Sequence, residues 1–130
     1  MTALLNAPDA RESAAARDRE RLQGAWHFVT GRRKVQLLII GDQFTARFNN
    51  GEVYVGTIDL DPTKKPKAMD MTVTDGPERH KGQVARCIYA LDGDHLVWCP
   101  NEPGAGDRPK AFPPTESQQF LCVVFRRGPG

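Results

Sequence analysis

The sequence has no apolar run approaching the about 20 residues that a membrane-spanning helix requires. It also lacks a charge excess, since 18 basic and 16 acidic residues leave a net charge of +2. Proteins dedicated to nucleic acids or anionic membrane surfaces usually carry more basic charge, so neither partner is expected. The first 13 residues have no basic lead and no apolar core of the kind found in secretory signals. We therefore expect a cytoplasmic protein as the chain stands, and an extracytoplasmic one if a leader has been removed.

Cysteine and histidine are scarce, with three residues of each. The cysteines are Cys87, Cys99 and Cys122, and none forms a C-x-x-C motif. Their odd number favours reduced thiols packed as small hydrophobic groups, and a Cys99–Cys122 bridge between neighbouring strands is the alternative. The histidines are scattered along the chain, whereas a metal site needs three or four convergent ligands. We expect no metal and no cofactor, and we expect His80, in a polar loop, to be solvated.

Recognisable catalytic motifs are missing as well. The sequence has no G-x-S-x-G, and Gly104–Pro109 lacks the Lys-Ser/Thr pair and the following helix of a phosphate loop. Two aspartate pairs, Asp59 with Asp61 and Asp92 with Asp94, border predicted turns, where aspartate commonly caps the backbone. The sequence therefore predicts no catalytic residues and a protein that is not an enzyme.

Tight turns between short alternating segments are the strongest pattern that is present. Gly41-Asp42, Asn50-Gly51 and Gly93-Asp94 each contain the glycine that positive φ angles in hairpins favour. Read as two-residue turns, they predict a series of cross-strand pairs: Ile39 with Phe44, Leu37 with Ala46, Val35 with Phe48, Phe48 with Val53, Ala46 with Val55, and Tyr89 with Trp98. The paired residues of the first two hairpins are apolar, which indicates an antiparallel sheet with one buried face.

Segments outside these hairpins complete the predicted architecture. Residues 9–23 are predicted to form a helix with Asp9 as N-cap, and this helix is the expected cover for the apolar last strand, 119–126. Gly56 is predicted to mark a bulge where the sheet bends. The loop 100–117 contains five of the ten prolines and is expected to pack on the barrel. Arg108 in this loop would either meet an anionic ligand group or anchor the loop to a carboxylate.

Together these elements predict an all-β protein, an eight-stranded antiparallel up-and-down β-barrel with an N-terminal helix. We assign 1–23 to the N-terminal segment and helix, and 24–127 to the barrel. Eight strands closed into a barrel leave room for side chains or for one small ligand.

The chain resembles the lipocalins and calycins in two features. The first is Gly24-x-Trp26 on the first strand, and the second is an arginine, Arg126 or Arg127, at the end of the last strand. It is most similar to a bacterial lipocalin-like domain family of unestablished activity, described mainly from planctomycetes. The similar segments are LQGAW (Leu22–Trp26), IIGDQF (Ile39–Phe44), IDLDPTKKPKAMD (Ile58–Asp70), IYALDGDHLVWC (Ile88–Cys99) and RPKAF (Arg108–Phe112). The resemblance implies a lipocalin-like barrel in which an arginine packs over the tryptophan at the closed end.

Two functions are compatible with this sequence. The first is a non-enzymatic barrel that binds a small apolar or amphipathic ligand in its interior. The expected lining residues are Phe28, Val35, Leu37, Ile39, Phe44, Phe48, Val53, Val55, Tyr89 and Trp98, with Arg108 at the mouth. The second is a protein-interaction module with a packed interior, whose partner surface would include the outward-facing Leu38 and Ile40.

Overall fold

The computed structural model describes residues 10–113 and 120–128. A single helix, α1, precedes the strands within this part of the chain. The elements are α1 (Ala10–Leu22), β1 (Gly24–Thr30), β2 (Val35–Ile40), β3 (Gln43–Phe48), β4 (Val53–Asp61), β5 (Lys67–Asp75), β6 (Val84–Asp92), β7 (His95–Pro100) and β8 (Val123–Arg127). The predicted N-cap, Asp9, lies outside the described residues.

The eight strands form a closed antiparallel barrel in which every strand pairs with its neighbours in sequence. Closure is completed by β8, which pairs with β1 so that Phe125 lies opposite Phe28. This confirms the predicted all-β fold class. A closed barrel leaves no unpaired edge strand, which removes the usual route to edge-to-edge aggregation.

Two of the three predicted hairpin registers are confirmed. Around Gly41-Asp42, Ile39 pairs with Phe44. Around Gly93-Asp94, Tyr89 pairs with Trp98. The buried positions of β2 alternate strictly with exposed ones, as expected for a strand with one face toward a core.

The predicted register between β3 and β4 is wrong by one residue. Ala46 pairs with Tyr54 rather than with Val55, and Arg47 pairs with Val53. The Phe48 amide donates to the Glu52 carbonyl oxygen at 2.9 Å, so these two residues pair and the connection between the strands holds three residues, 49–51. A one-residue slip turns the whole strand over. Tyr54, Ile58 and Leu60 therefore occupy the buried positions of β4.

The bulge predicted at Gly56 is confirmed. The pairing of β4 with β5 shifts register between Val55 and Gly56. A β-carbon at Gly56 would lie 1.8 Å from the Thr72 carbonyl oxygen, so the two strands approach too closely for any side chain there. Glycine at this position lets the barrel wall bend while the backbones stay in contact.

One end of the barrel is closed around Trp26. Its side chain is fully buried, and its Nε1–H donates to the carbonyl oxygen of Leu22 at 2.9 Å. The Arg127 guanidinium lies 4.4 Å above the indole ring and donates to the backbone oxygens of Gln23 and Arg21. The arginine over the tryptophan is therefore Arg127, and it ties the last strand to the end of α1.

The helix α1 packs against β4, not against β8 as predicted. Its buried residues are Ala15, Asp18 and Leu22, which lie on one side of the helix. The Asp18 carboxylate accepts a hydrogen bond from the Tyr89 hydroxyl at 2.6 Å and from Lys67 Nζ at 3.0 Å. A buried charge needs such partners. Among the described residues, no helix is long and apolar enough to cross a membrane.

The last strand begins later than predicted, because β8 spans Val123–Arg127 and not 119–126. Cys122, just before β8, forms a small second cluster with Ile88 and Cys99, against which Val97 and Phe120 pack. Phe120 therefore belongs to the connection between β7 and β8 and not to the strand.

The Asp18–Tyr89 contact leads to a testable prediction. Tyr89→Phe should lower the free energy of unfolding by about 1–3 kcal/mol, because it leaves the buried Asp18 carboxylate with one donor fewer. Urea denaturation followed by circular dichroism measures this change. Asp59→Asn is the matched control, since the exposed Arg11–Asp59 pair at 3.8 Å should contribute less than about 0.5 kcal/mol. Equal stability of Tyr89→Phe and the unchanged protein would contradict the assigned anchor.

Candidate functional site

A cavity of about 300 Å³ lies in the half of the barrel distant from α1. It is bordered by the connections β1–β2, β5–β6 and β7–β8, which we call the mouth of the barrel. Its apolar and aromatic wall consists of Phe44, Ala46, Phe48, Tyr54, Met71, Val73, Ala85, Trp98, Phe120 and Leu121. The cavity thus draws on several strands and connections rather than on one motif.

Side-chain size explains why the cavity lies in this half. Toward α1, the interior is filled by large side chains that are almost completely buried, including Trp26, Tyr89, Leu37, Met69, Leu96 and Phe125. Toward the mouth, two inward positions are occupied by Ala46 and Ala85. Alanine at these two positions leaves unfilled the volume that a larger residue would occupy.

A polar pair, Tyr54 and His80, forms part of the cavity wall. The Tyr54 hydroxyl and His80 Nδ1 are hydrogen bonded at 2.7 Å, and both side chains are buried. Their rings are stacked with centroids 5.7 Å apart. Burial raises the pKa of the Tyr54 hydroxyl, so it stays protonated near neutral pH. Each polar group therefore satisfies the other, and the wall remains neutral at Tyr54.

An ion-pair cluster lies at the mouth. Glu52 contacts Arg79 at 2.6 Å and Arg33 at 3.7 Å. The hydrogen bond from Arg79 lowers the pKa of the Glu52 carboxyl, so Glu52 is ionised near neutral pH. The Arg33 guanidinium also lies 4.2 Å from the centroid of the Phe48 ring. We refer to Arg33, Glu52 and Arg79 as the mouth cluster.

Trp98 joins the cavity to the packed interior. Its ring lies 6.0 Å from that of Phe125, and its Nε1 is buried without a hydrogen-bond partner within 10–113 and 120–128. The nearby Cys87 thiol is only a weak acceptor. Burial raises the pKa of that thiol to about 12, an effect that the indole N–H opposes. Cys87 is therefore an inert, protonated core residue at neutral pH.

The structure brings three of the predicted ligand-binding residues to the cavity, namely Phe44, Phe48 and Trp98. Five others do not line the cavity: Val35, Leu37, Ile39 and Tyr89 belong to the hydrophobic core, and the partly buried Phe28 packs against it. The alternation of β1–β3 predicted the inward face for six of these eight residues. The β6–β7 pairing predicted Tyr89 opposite Trp98 and left open which face of these strands points inward. The division of the eight residues between cavity and packed core depends on the sizes of the neighbouring side chains.

The remaining predicted residues lie elsewhere. Val53 and Val55 occupy the outward positions of β4 because of the register correction. Arg108 is part of a loop anchor, since its guanidinium donates to Asp70 at 2.6 Å and to the Cys87 carbonyl oxygen at 2.8 Å. This is the second of the two roles considered for Arg108. Residues 114–117 of the predicted loop lie outside the described residues.

Several cavity residues were not predicted from the sequence. Tyr54 was assigned to the outer face by the wrong register, and His80 was expected to be solvated although it is buried. Arg33 and Arg79 belong to polar connections whose sequence gives no sign of a cavity. The sequence offered one signal for Tyr54: Asn49–Gly51 can also be read as a three-residue turn, and that reading places Tyr54 on the inward face of β4.

The structure gives no sign of metal chemistry in the part of the chain that it describes. No group of three or more potential ligands from His, Cys, Asp and Glu converges there. Cys87, Cys99 and Cys122 are all free and buried. The alternative of a Cys99–Cys122 bridge is therefore not realised in this structure.

No family model matches the chain, and no curated protein or solved structure gives a significant match. A closed eight-stranded antiparallel barrel is consistent with a lipocalin-like fold.

Proposed function

We propose that this protein binds a small apolar or amphipathic molecule in the barrel and catalyses no reaction. The observation that supports this function is the cavity of about 300 Å³, which opens at the mouth and is lined mainly by aromatic and aliphatic side chains. Small-molecule sites are typically cavities of roughly 300–1,000 Å³ with apolar walls and few polar groups. The cavity is therefore suited to a compact ligand or to the chain of a medium-length amphiphile.

The contrast between the two halves of the barrel adds to this argument. Protein interiors normally leave few voids larger than a water molecule. The half next to α1 follows that rule, with Trp26 and Tyr89 at most 1% exposed. The half next to the mouth does not, although longer side chains at Ala46 or Ala85 would fill it. An open pocket with a mainly apolar lining, in an otherwise tightly packed barrel, supports a binding role.

The polar groups of the cavity support binding rather than catalysis. Tyr54, with its raised pKa, is a poor nucleophile and a poor base near neutral pH. The Glu102 carboxylate is 3.9 Å from His80 Nε2 and its side chain is 73% exposed, so it does not form the tight carboxylate–histidine hydrogen bond that would support His80 as a base. Activated nucleophiles usually depend on such an oriented base.

We also infer that the chain belongs to the lipocalin-like group of barrels. The Gly24-x-Trp26 segment and the guanidinium of Arg127 over the Trp26 ring support this assignment. A cytoplasmic location remains a prediction from the N-terminal sequence.

The proposed function is tested by titration with the neutral apolar dye N-phenyl-1-naphthylamine. We expect one saturable site, an increase in dye fluorescence and a rise in melting temperature that grows with dye concentration. Ala85→Phe should weaken binding by at least about tenfold, because the added ring fills the cavity. Ala16→Phe, on the exposed face of α1, is the matched control and should bind as the unchanged protein does.

A second candidate function is a protein-interaction module. It is favoured by Leu38 and Ile40, whose exposed fractions on the outer face of β2 are 39% and 65%. If several chemically different apolar and amphipathic probes, charged ones included, neither bind nor shift the melting temperature, the ligand-binding function is refuted and this second function is favoured.

A further inference from the structure

We infer that the ligand carries a carboxylate or a similar anionic group, which docks at the mouth cluster while its apolar part fills the cavity. This inference rests on the proposed function and specifies the chemical class of the ligand. It follows from the distribution of charge and hydrogen-bond partners around the cavity.

The charged side chains that line the cavity are mainly cationic. Within the described residues they are Arg32, Arg33, Arg79 and Glu102. Including Glu52, which contacts two of the arginines, gives three positive and two negative groups and a net charge of +1. The cationic groups all lie at the mouth, so an anionic group entering there meets a favourable potential.

Apart from the charged groups at the mouth, the cavity wall is formed mainly by apolar side chains. Tyr54 and His80 satisfy each other through their 2.7 Å hydrogen bond, and the surrounding wall is formed by residues such as Phe44, Met71 and Ala85. A polar group placed beside Phe44, Met71 or Ala85 would lose its hydration without gaining a partner there, which is costly. The Trp98 Nε1–H, unpaired among the described residues, is an uncharged donor. The buried part of the ligand is therefore mainly apolar, and its charged group stays at the mouth.

Arg33 is well placed to receive that polar group. Its guanidinium lies over the ring of Phe48, a residue of the cavity wall, and is thereby held where the apolar wall ends. Its distance to Glu52 is 3.7 Å, longer than a hydrogen bond. A guanidinium has five donors in a planar fork that matches a carboxylate. Arg33 can therefore bind a ligand carboxylate while Glu52 stays paired with Arg79.

A cationic ligand is disfavoured by the same contacts. The Glu52 carboxylate is already shared by Arg33 and Arg79. A ligand ammonium group at Glu52 would come close to both guanidinium groups, and like charges repel at these distances. Glu102 remains as the other carboxylate, but it is largely exposed and strongly hydrated.

The test compares three probes that differ only in their polar group: decanoate, decanol and decylamine. Isothermal titration calorimetry at low salt should show decanoate binding about tenfold more tightly than decanol, and decylamine most weakly. High salt should reduce the advantage of decanoate, because it screens charges at an exposed mouth.

Substitutions then test the mouth cluster itself. Arg33→Gln combined with Arg79→Gln should bring the affinity for decanoate to within about twofold of that for decanol. Glu52→Gln should strengthen decanoate binding, because it removes the carboxylate that competes for both guanidinium groups. Arg47→Gln is the matched control, since Arg47 lies on the exposed face of β3 and should not affect the preference.

The outcomes separate this inference from the proposed function. Equal affinities for decanoate and decanol, or weaker decanoate binding by Glu52→Gln, would overturn the anionic ligand and leave the binding function intact. Binding of none of the three probes would overturn both. If the double variant fails to fold, the decanoate affinity of Glu52→Gln and the salt dependence of decanoate binding still test whether the ligand is anionic.

Discussion

Replacing Trp26 with alanine is expected to lower the free energy of unfolding by about 3–5 kcal/mol, as for other large-to-alanine changes in cores. The indole is fully buried, donates to the Leu22 carbonyl oxygen and carries the Arg127 guanidinium on its face. The substitution therefore opens a cavity and also removes the link between α1, β1 and β8.

Urea denaturation and thermal melting measure this effect. Val29→Ala on the same strand is the matched control, because Val29 is half exposed and its truncation should change stability by less than about 0.5 kcal/mol. An unchanged melting temperature for Trp26→Ala would show that Trp26 is not part of the core. The closed end of the barrel would then need a different anchor.

Gly56→Ala is expected to destabilise the barrel by about 3 kcal/mol or more, near the upper range for overpacking. A β-carbon there would lie 1.8 Å from the Thr72 carbonyl oxygen and 2.9 Å from the Phe44 ring. The first neighbour is backbone, so relief requires β4 and β5 to separate. The single methyl group therefore disrupts the most extensively paired part of the sheet.

Gly41→Ala separates this steric effect from glycine's conformational freedom. Gly41 has a φ of +64°, and a β-carbon added there would have no neighbouring atom within 4 Å. Alanine at this position should therefore cost only about 1–2 kcal/mol of backbone strain. If Gly56→Ala were no more destabilising than Gly41→Ala in chemical denaturation, the close contact between the strands would be refuted.

The sequence was sufficient to predict the fold because two local patterns agree with each other. Two-residue turns at Gly41-Asp42 and Gly93-Asp94 and the alternation of apolar residues both specify the same pairing, as in Ile39 with Phe44. Consistency between turn and pattern is what makes a register predictable. The bulge at Gly56 was predictable for a similar reason, since a glycine within a strand pattern often marks one.

The turn at Asn50-Gly51 shows where this reasoning fails. A two-residue type I′ turn would require positive φ at Asn50 as well, but no described non-glycine residue has positive φ. Gly51, with a φ of +93°, instead ends a three-residue loop. Glycine suits both a two-residue and a three-residue turn. The two-residue turn was chosen because it places the apolar Val53 and Val55 on the inward face. That choice assigned Tyr54 to the wrong face.

The candidate site could be predicted only in part. Phe44 and Phe48 were found through strand alternation, which identifies inward residues but not the space between them. Trp98 was found through its predicted pairing with Tyr89, which left open the face that points inward. The cavity depends on the sizes of side chains from several strands, with Ala46 and Ala85 leaving the room. His80 and Arg79 come from a connection, where no periodic pattern indicates which way a side chain points.

The most direct test of ligand binding in the barrel is a crystal structure of the protein with decanol. We predict continuous electron density for the alkyl chain between Phe44 and Trp98, with the hydroxyl group toward Arg33. Density on the outer face at Leu38 and Ile40, with the cavity empty or collapsed, would contradict binding inside the barrel.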